Sequence, residues 1–186
     1  MTARPRASVP APASRRQCSR ARWGGCREVE PAAASSTANR TWSPSPAGAG
    51  YLRAMGDAGL PPDVINVGGP DYTEEAGAQA GRMLLRRETL PTAVVACNDQ
   101  VAVGLLQVLA RAGVAVPGEV SLTGFDDSRF ASLSSVDLTT VRQDPVEMGR
   151  AAVGAAVRRI GNPAAKPALH VLRLTLVIRG GTSPPS

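Results

Sequence analysis

Aromatic side chains are nearly missing from this 186-residue sequence: two Trp, two Tyr and two Phe make up 3% of it, although 43% is hydrophobic. A core without rings must be assembled from Val, Leu and Ala. Histidine occurs once, at His170, and lysine once, at Lys166. The three cysteines, Cys18, Cys26 and Cys97, have neither the number nor the spacing of a disulfide framework or a zinc site. Cys97 reads as a small buried apolar residue of a strand. No metal and no cofactor is expected. No apolar run approaches the roughly 20 residues that span a bilayer, and the expected compartment is the cytoplasm.

The formal net charge of +6 invites a nucleic-acid reading until it is located. Residues 1–50 carry Arg4, Arg6, Arg15, Arg16, Arg20, Arg22, Arg27 and Arg40 against only Glu28 and Glu30, so the whole excess lies there. The remainder is neutral and has no surplus with which to attract a phosphate backbone. Residues 1–46 also lack any helical or strand period, and an Ala, Arg, Ser and Pro mixture cannot bury enough apolar surface to offset its ordering entropy. Pro5, Pro10, Pro12 and Pro31 spoil an amphipathic targeting helix, and no apolar segment follows Arg15-Arg16 as a twin-arginine signal requires. This segment is expected to be a disordered, non-native leader. Cys18, Cys26, Trp23 and Trp42 fall within it.

Regular patterning begins near Gly48. Helices are expected over Tyr51–Ala58, from the Thr73 cap to about Arg87, over Gln100–Ala112, and from Pro145 to about Ile160. Strands are expected at Val64–Val67, Thr92–Ala96, Val120–Gly124 and Leu138–Arg142, with a last strand region in Leu169–Ile178. Alternation of this kind indicates an α/β fold with a parallel sheet. Three strand ends then carry polar residues: Asp71-Tyr72, Asn98-Asp99 and Asp126-Asp127. Right-handed crossovers bring such ends to one edge of the sheet, where open α/β sheets bind ligands. Carboxylates, an amide and a ring together suit a sugar or another polyhydroxylated solute. Each residue alone is equally well a cap or turn former, and Asp99 is read as a cap only.

Catalytic readings are weaker. Asp126-Asp127 after a strand suits a magnesium site of a small α/β enzyme, but such sites also need a partner lysine or a third carboxylate at another strand end, and the only lysine, Lys166, lies in a late loop. There is no serine nucleophile elbow, and Gly77, Gly81 and Gly104 lie inside helices rather than in a phosphate-cradling loop. The chain is read as not an enzyme. A freestanding sugar-binding protein is the other alternative, and it would need an export signal. The helix after Asn98-Asp99 has an apolar arc wider than one sheet face covers, which suits a deep core or a subunit interface.

The same residues carry a resemblance. Asp71-Tyr72-Thr73-Glu74-Glu75, Asn98-Asp99-Gln100-Val101-Ala102-Val103-Gly104, Val116-Pro117-Gly118-Glu119-Val120-Ser121 and Gly124-Phe125-Asp126-Asp127 follow one another in an order that resembles the lactose-repressor (LacI/GalR) family. Leu138-Thr139-Thr140-Val141-Arg142-Gln143 and the closing Val177-Ile178-Arg179-Gly180-Gly181-Thr182 extend it. The resemblance implies one lobe of a periplasmic-binding-protein-like (type I) sensor domain over residues 47–186, truncated, from a transcriptional regulator that binds a sugar-like effector and dimerises. It implies that Tyr72 stacks on the effector and that Asn98 and Asp126 hydrogen-bond its hydroxyls. It further implies a dimer interface at Val101, Leu105, Leu106 and Leu109, a hinge strand at Arg142–Asp144, and packing of the Pro145–Ile160 helix on the other lobe. The family's helix-turn-helix is not recognisable here, so operator DNA is expected to be a partner of a full-length member only. Ala47 stands where the family has an effector-gripping arginine. A truncated or frame-disrupted product is the expected origin of residues 1–46.

Overall fold

The computed structural model describes residues 26–31, 46–67, 72–164 and 166–184. Arg15-Arg16, Cys18, Trp23, Trp42 and Asp71 lie outside them. Four strands and three intervening helices build a parallel sheet: β1 (Cys26–Pro31), α1 (Pro46–Asp57), β2 (Val64–Val67), α2 (Glu74–Leu85), β3 (Ala93–Ala96), α3 (Asp99–Arg111) and β4 (Ser121–Thr123). The sheet order is β2-β1-β3-β4, all pairs parallel. A shorter arm follows, with β5 (Thr140–Arg142), α4 (Pro145–Gly161) and β6 (Thr175–Val177), in which β5 and β6 pair antiparallel.

One correction concerns the leader. Its segment Cys26–Pro31 was expected to have no regular structure, yet it forms β1 in the interior of the sheet. Glu28 lies opposite Val64 of β2 and Val95 of β3. Strand propensity is weak here, but neighbours on both edges offer a full ladder of backbone partners, and such context overrides propensity.

Local signals explain the helices. Thr73 accepts from the Ala76 amide at the start of α2, with Glu74 and Glu75 in its first turn. Asn98 accepts from the Val101 amide to open α3, and Asp144 accepts from the Glu147 amide to open α4 ahead of Pro145. These caps satisfy amides that the helix cannot pair internally. α2 and α3 then pack with backbones in contact. A Cβ on Gly77 would collide with the Val101 carbonyl, and one on Gly104 with the Glu74 carbonyl. A Cβ on Gly81 would come within 2.9 Å of the Val108 side chain. The three mid-helix glycines are therefore a close helix crossing.

The wide apolar arc of α3 is filled from two sides, by the sheet and by α2. Val101, Leu105 and Leu109 are each 0% exposed, packed with Ile65, Leu84, Val94 and Leu122. This corrects the assignment of Val101, Leu105 and Leu109 to a dimer interface, because side chains enclosed in their own core present nothing to a partner. Leu106 is only partly buried against that core. The arm differs sharply: no residue of α4 is buried. Among the described residues, no helix is long and apolar enough to cross a membrane.

Candidate functional site

Tyr72 follows β2 and precedes the Thr73 cap; its side chain is exposed. Asn98 follows β3 and is anchored at both ends of its amide. Its Oδ1 accepts from the Val101 amide at 2.8 Å, and its Nδ2 donates to the Tyr72 carbonyl at 3.0 Å. The cap of α3 thus ties the entry of α2 to the end of β3, and Tyr72 and Asn98 are brought together directly.

Asp126 follows β4, the strand paired with β3. Its backbone is at φ 116°, in a region that L residues rarely adopt, and the next residue, Asp127, is at φ 53°. The Asp126 amide donates to the Val141 carbonyl at 2.9 Å, and its Oδ1 accepts from Gln143 Nε2 at 2.6 Å. Burial raises the Asp126 carboxyl above its usual value; the Gln143 hydrogen bond opposes this, and the charge of Asp99 adds to it. Asp126 is therefore bonded to the segment that leads from β5 into α4.

Asp127 differs from its neighbour. Arg179 Nη2 donates to its Oδ1 at 2.7 Å, and Arg142 Nε donates to its Oδ2 at 2.6 Å. Burial pushes its carboxyl up, but the hydrogen bonds and charges of Arg179 and Arg142 outweigh that and hold it below its usual value. One carboxylate clamps the chain entering the arm at Arg142 and the chain leaving it at Arg179. Arg179 also donates to the Leu138 carbonyl at 3.0 Å, and its amide donates to Thr139 Oγ1 at 3.1 Å. With both oxygens engaged by arginines, the acidic pair is not arranged as a metal site. No group of three or more His, Cys, Asp or Glu among the described residues is placed to hold a metal ion.

Asp99, read from sequence as a cap, is 1% exposed and lies inside the molecule, while the cap itself is Asn98. Thr140 Oγ1 donates to one Asp99 oxygen at 2.6 Å, and the Ser128 amide donates to the other at 2.6 Å. Sequence reasoning also passed over Gln143 and Arg179 individually. The one local signal for Asp99 is Gly124, where a Cβ would collide with an Asp99 carboxylate oxygen.

Residues 24–182 match the sequence pattern of the periplasmic binding protein-like domain. That match begins inside the supposed leader and includes β1. The ribose operon repressor of Escherichia coli strain K12 is 37% identical over 132 residues, covering 70% of this chain and 40% of the repressor. The crystal structure of a LacI transcriptional regulator from a Rhodococcus species superposes with a TM-score of 0.72 at 37% identity, covering 87% of this chain and 56% of the other. A LacI family regulator from Arthrobacter sp. FB24, solved in complex with lactose, superposes with a TM-score of 0.70 at 26% identity, covering 86% and 58%. The chain thus spans well under two thirds of the length of these relatives. By pattern, sequence and fold, it belongs to the periplasmic-binding-protein-like domain family, in the sensor form carried by LacI-type transcriptional regulators.

Proposed function

We propose that the domain matched over residues 24–182, β1 included, acts as the effector-binding part of a LacI-type transcriptional regulator, and that the effector is a sugar or similar polyhydroxylated molecule. The observation that carries this reading is the placement of Asn98 and Asp126 at the ends of the adjacent parallel strands β3 and β4. Asn98 retains a second amide N–H, and Asp126 a second carboxylate oxygen, beyond the bonds already described. Tyr72, exposed beside Asn98, offers a ring face to a pyranose or furanose. The lactose-bound Arthrobacter regulator and the ribose operon repressor favour this ligand class.

The arm supplies the second element. Val146, Val153, Val157 and Ile160 recur at helical spacing on α4 and are all exposed. On β6 and its flanks, Leu174, Leu176 and Ile178 are exposed at alternate positions. These apolar surfaces are the expected seat of the other lobe of the sensor, with Arg142–Asp144 as a crossing between lobes. A cleft ligand buries most of its surface against two walls, so the residues present here should bind effector weakly alone. Dimerisation and operator recognition belong to the full-length regulator in this reading, and the chain itself performs no catalysis.

Calorimetric titration with D-ribose, D-galactose and lactose tests the proposal. Saturable binding of one sugar, lost in both Asn98→Ala and Asp126→Ala, is expected. Binding unaffected by either change sinks it. In a gel-shift assay this chain should give no sequence-selective, salt-resistant complex with operator DNA.

A further inference from the structure

We propose that Asp99 is a positioning residue: its buried carboxylate fixes the Phe125–Ser128 loop and thereby sets where Asp126 stands. The proposal rests on the effector-binding reading above for its functional meaning, but its structural part can be tested separately.

The loop between β4 and the crossing segment has two consecutive non-glycine residues at positive φ, Asp126 and Asp127. Such a conformation is unfavourable unless its surroundings over-determine it. Asp99 supplies that determination at three points. Its amide donates to the Phe125 carbonyl at 2.9 Å, just before the strained pair. Its Oδ2 accepts from the Ser128 amide at 2.6 Å, just after the pair. Between them, the Asp127 amide donates to Thr140 Oγ1 at 3.3 Å, and that hydroxyl donates onward to Asp99 Oδ1 at 2.6 Å. The loop is therefore wrapped around one side chain, with Asp126 at its turn.

Burial makes this arrangement decisive. Asp99 is 1% exposed and Thr140 0%, so water does not substitute for either partner. A buried carboxylate is tolerated only when its lone pairs are satisfied, and hydrogen bonds to an ionised acceptor are the stronger kind. The site is also sterically reserved, because a side chain at Gly124 would displace the Asp99 carboxylate. Asp99 opens α3 directly after Asn98. One residue thus references Asp126 to the helix that Asn98 caps and, through Thr140, to β5.

Amide hydrogen exchange by NMR on the full 186-residue chain separates positioning from general stability, with the Leu105 amide in the α3 core as internal reference. Thr140→Val should accelerate Asp127 exchange about tenfold relative to Leu105, the effect of losing roughly one hydrogen bond, and leave Ser128 protected. Asp99→Asn should accelerate both loop amides and lower the pH at which the Asp126 carboxyl titrates, since the Asp99 charge is removed. Thr140→Ser, which retains the hydroxyl, should behave as the parent. D-ribose and lactose are then the binding probes, with affinity falling in Thr140→Val and recovering in Thr140→Ser. Acceleration of all amides together, or failure of Thr140→Ser to restore Asp127 protection, overturns the positioning role. If the parent chain binds neither sugar, the effector reading fails, while the exchange pattern still decides for or against Asp99.

Discussion

The packed lobe and the arm are stabilised by different physics within one chain. In the lobe, α3 is buried by the sheet and α2, and Leu84, Leu105, Leu109 and Leu122 are at most 1% exposed. In the arm, α4 is held by local chemistry: the Asp144 cap, Pro145 in its first turn, the Glu147–Arg150 pair at 2.8 Å, and Arg158 and Arg159 at its end. Burial stabilises through many contacts at once, whereas caps and exposed ion pairs contribute little each. The lobe is held by its buried core, and α4 of the arm by its caps and exposed ion pairs.

That contrast can be broken at several points. The largest effect is expected for Gly104→Ala, whose methyl would occupy the position of the Glu74 backbone. Overpacking costs about 1–3 kcal/mol or more, and this case should lie at or above the upper end, visible as loss of a cooperative melt. Leu105→Ala should cost about 2–5 kcal/mol by denaturant unfolding. Val157→Ala on α4 should stay within about 0.5 kcal/mol. Equal costs at Leu105 and Val157 would mean that the arm is packed after all.

The adjacent acids sharpen the comparison because their carboxyls are shifted in opposite directions. Asp127→Ala leaves Arg179 without its acid and should cost about 1.5–3 kcal/mol, the range for hydrogen bonds to charged groups. Its contribution is complete above the ordinary value of 3.8 and is lost as pH falls through the lower folded value. Acid unfolding of the parent and Asp127→Asn should therefore converge below that window. Asp126 is raised, so its ionisation opposes folding above 3.8. Asp126→Asn should leave the melting temperature unchanged or slightly higher at neutral pH, the smallest effect of the series, while abolishing sugar binding. Binding by the parent should weaken on acidification at a higher pH than an ordinary aspartate would require.

Local chemistry was legible in the sequence and long-range chemistry was not. Thr73, Asn98 and Asp144-Pro145 announce helix starts within four residues of the amides they serve, and α2, α3 and α4 lie where expected. β1 could not be read from Cys26-Arg27-Glu28-Val29-Glu30-Pro31, since its structure comes from two neighbouring strands rather than from its own pattern. Strand ends pointed to Tyr72, Asn98 and Asp126, but the partners that fix them are remote. The Tyr72 carbonyl is 26 residues from Asn98 and Gln143 is 17 from Asp126. For the neighbouring acids, Thr140 is 41 residues from Asp99 and Arg179 is 52 from Asp127. A wide apolar arc on α3 says that the helix is covered; it does not say whether by its own chain or by another, which is why Val101, Leu105 and Leu109 were misassigned.

The contact of α2 and α3 through Gly77, Gly81 and Gly104 reaches beyond stability. At Gly77 and Gly104 main chain faces main chain, so neither position accepts a side chain without parting the two helices. Tyr72 at the mouth of α2 and Asn98 at the mouth of α3 therefore form a caliper of set width. If the proposed effector site is right, a change of ligand would act through Tyr72 and Asn98 themselves, or through the loop bearing Asp126, rather than through the spacing of the two helices.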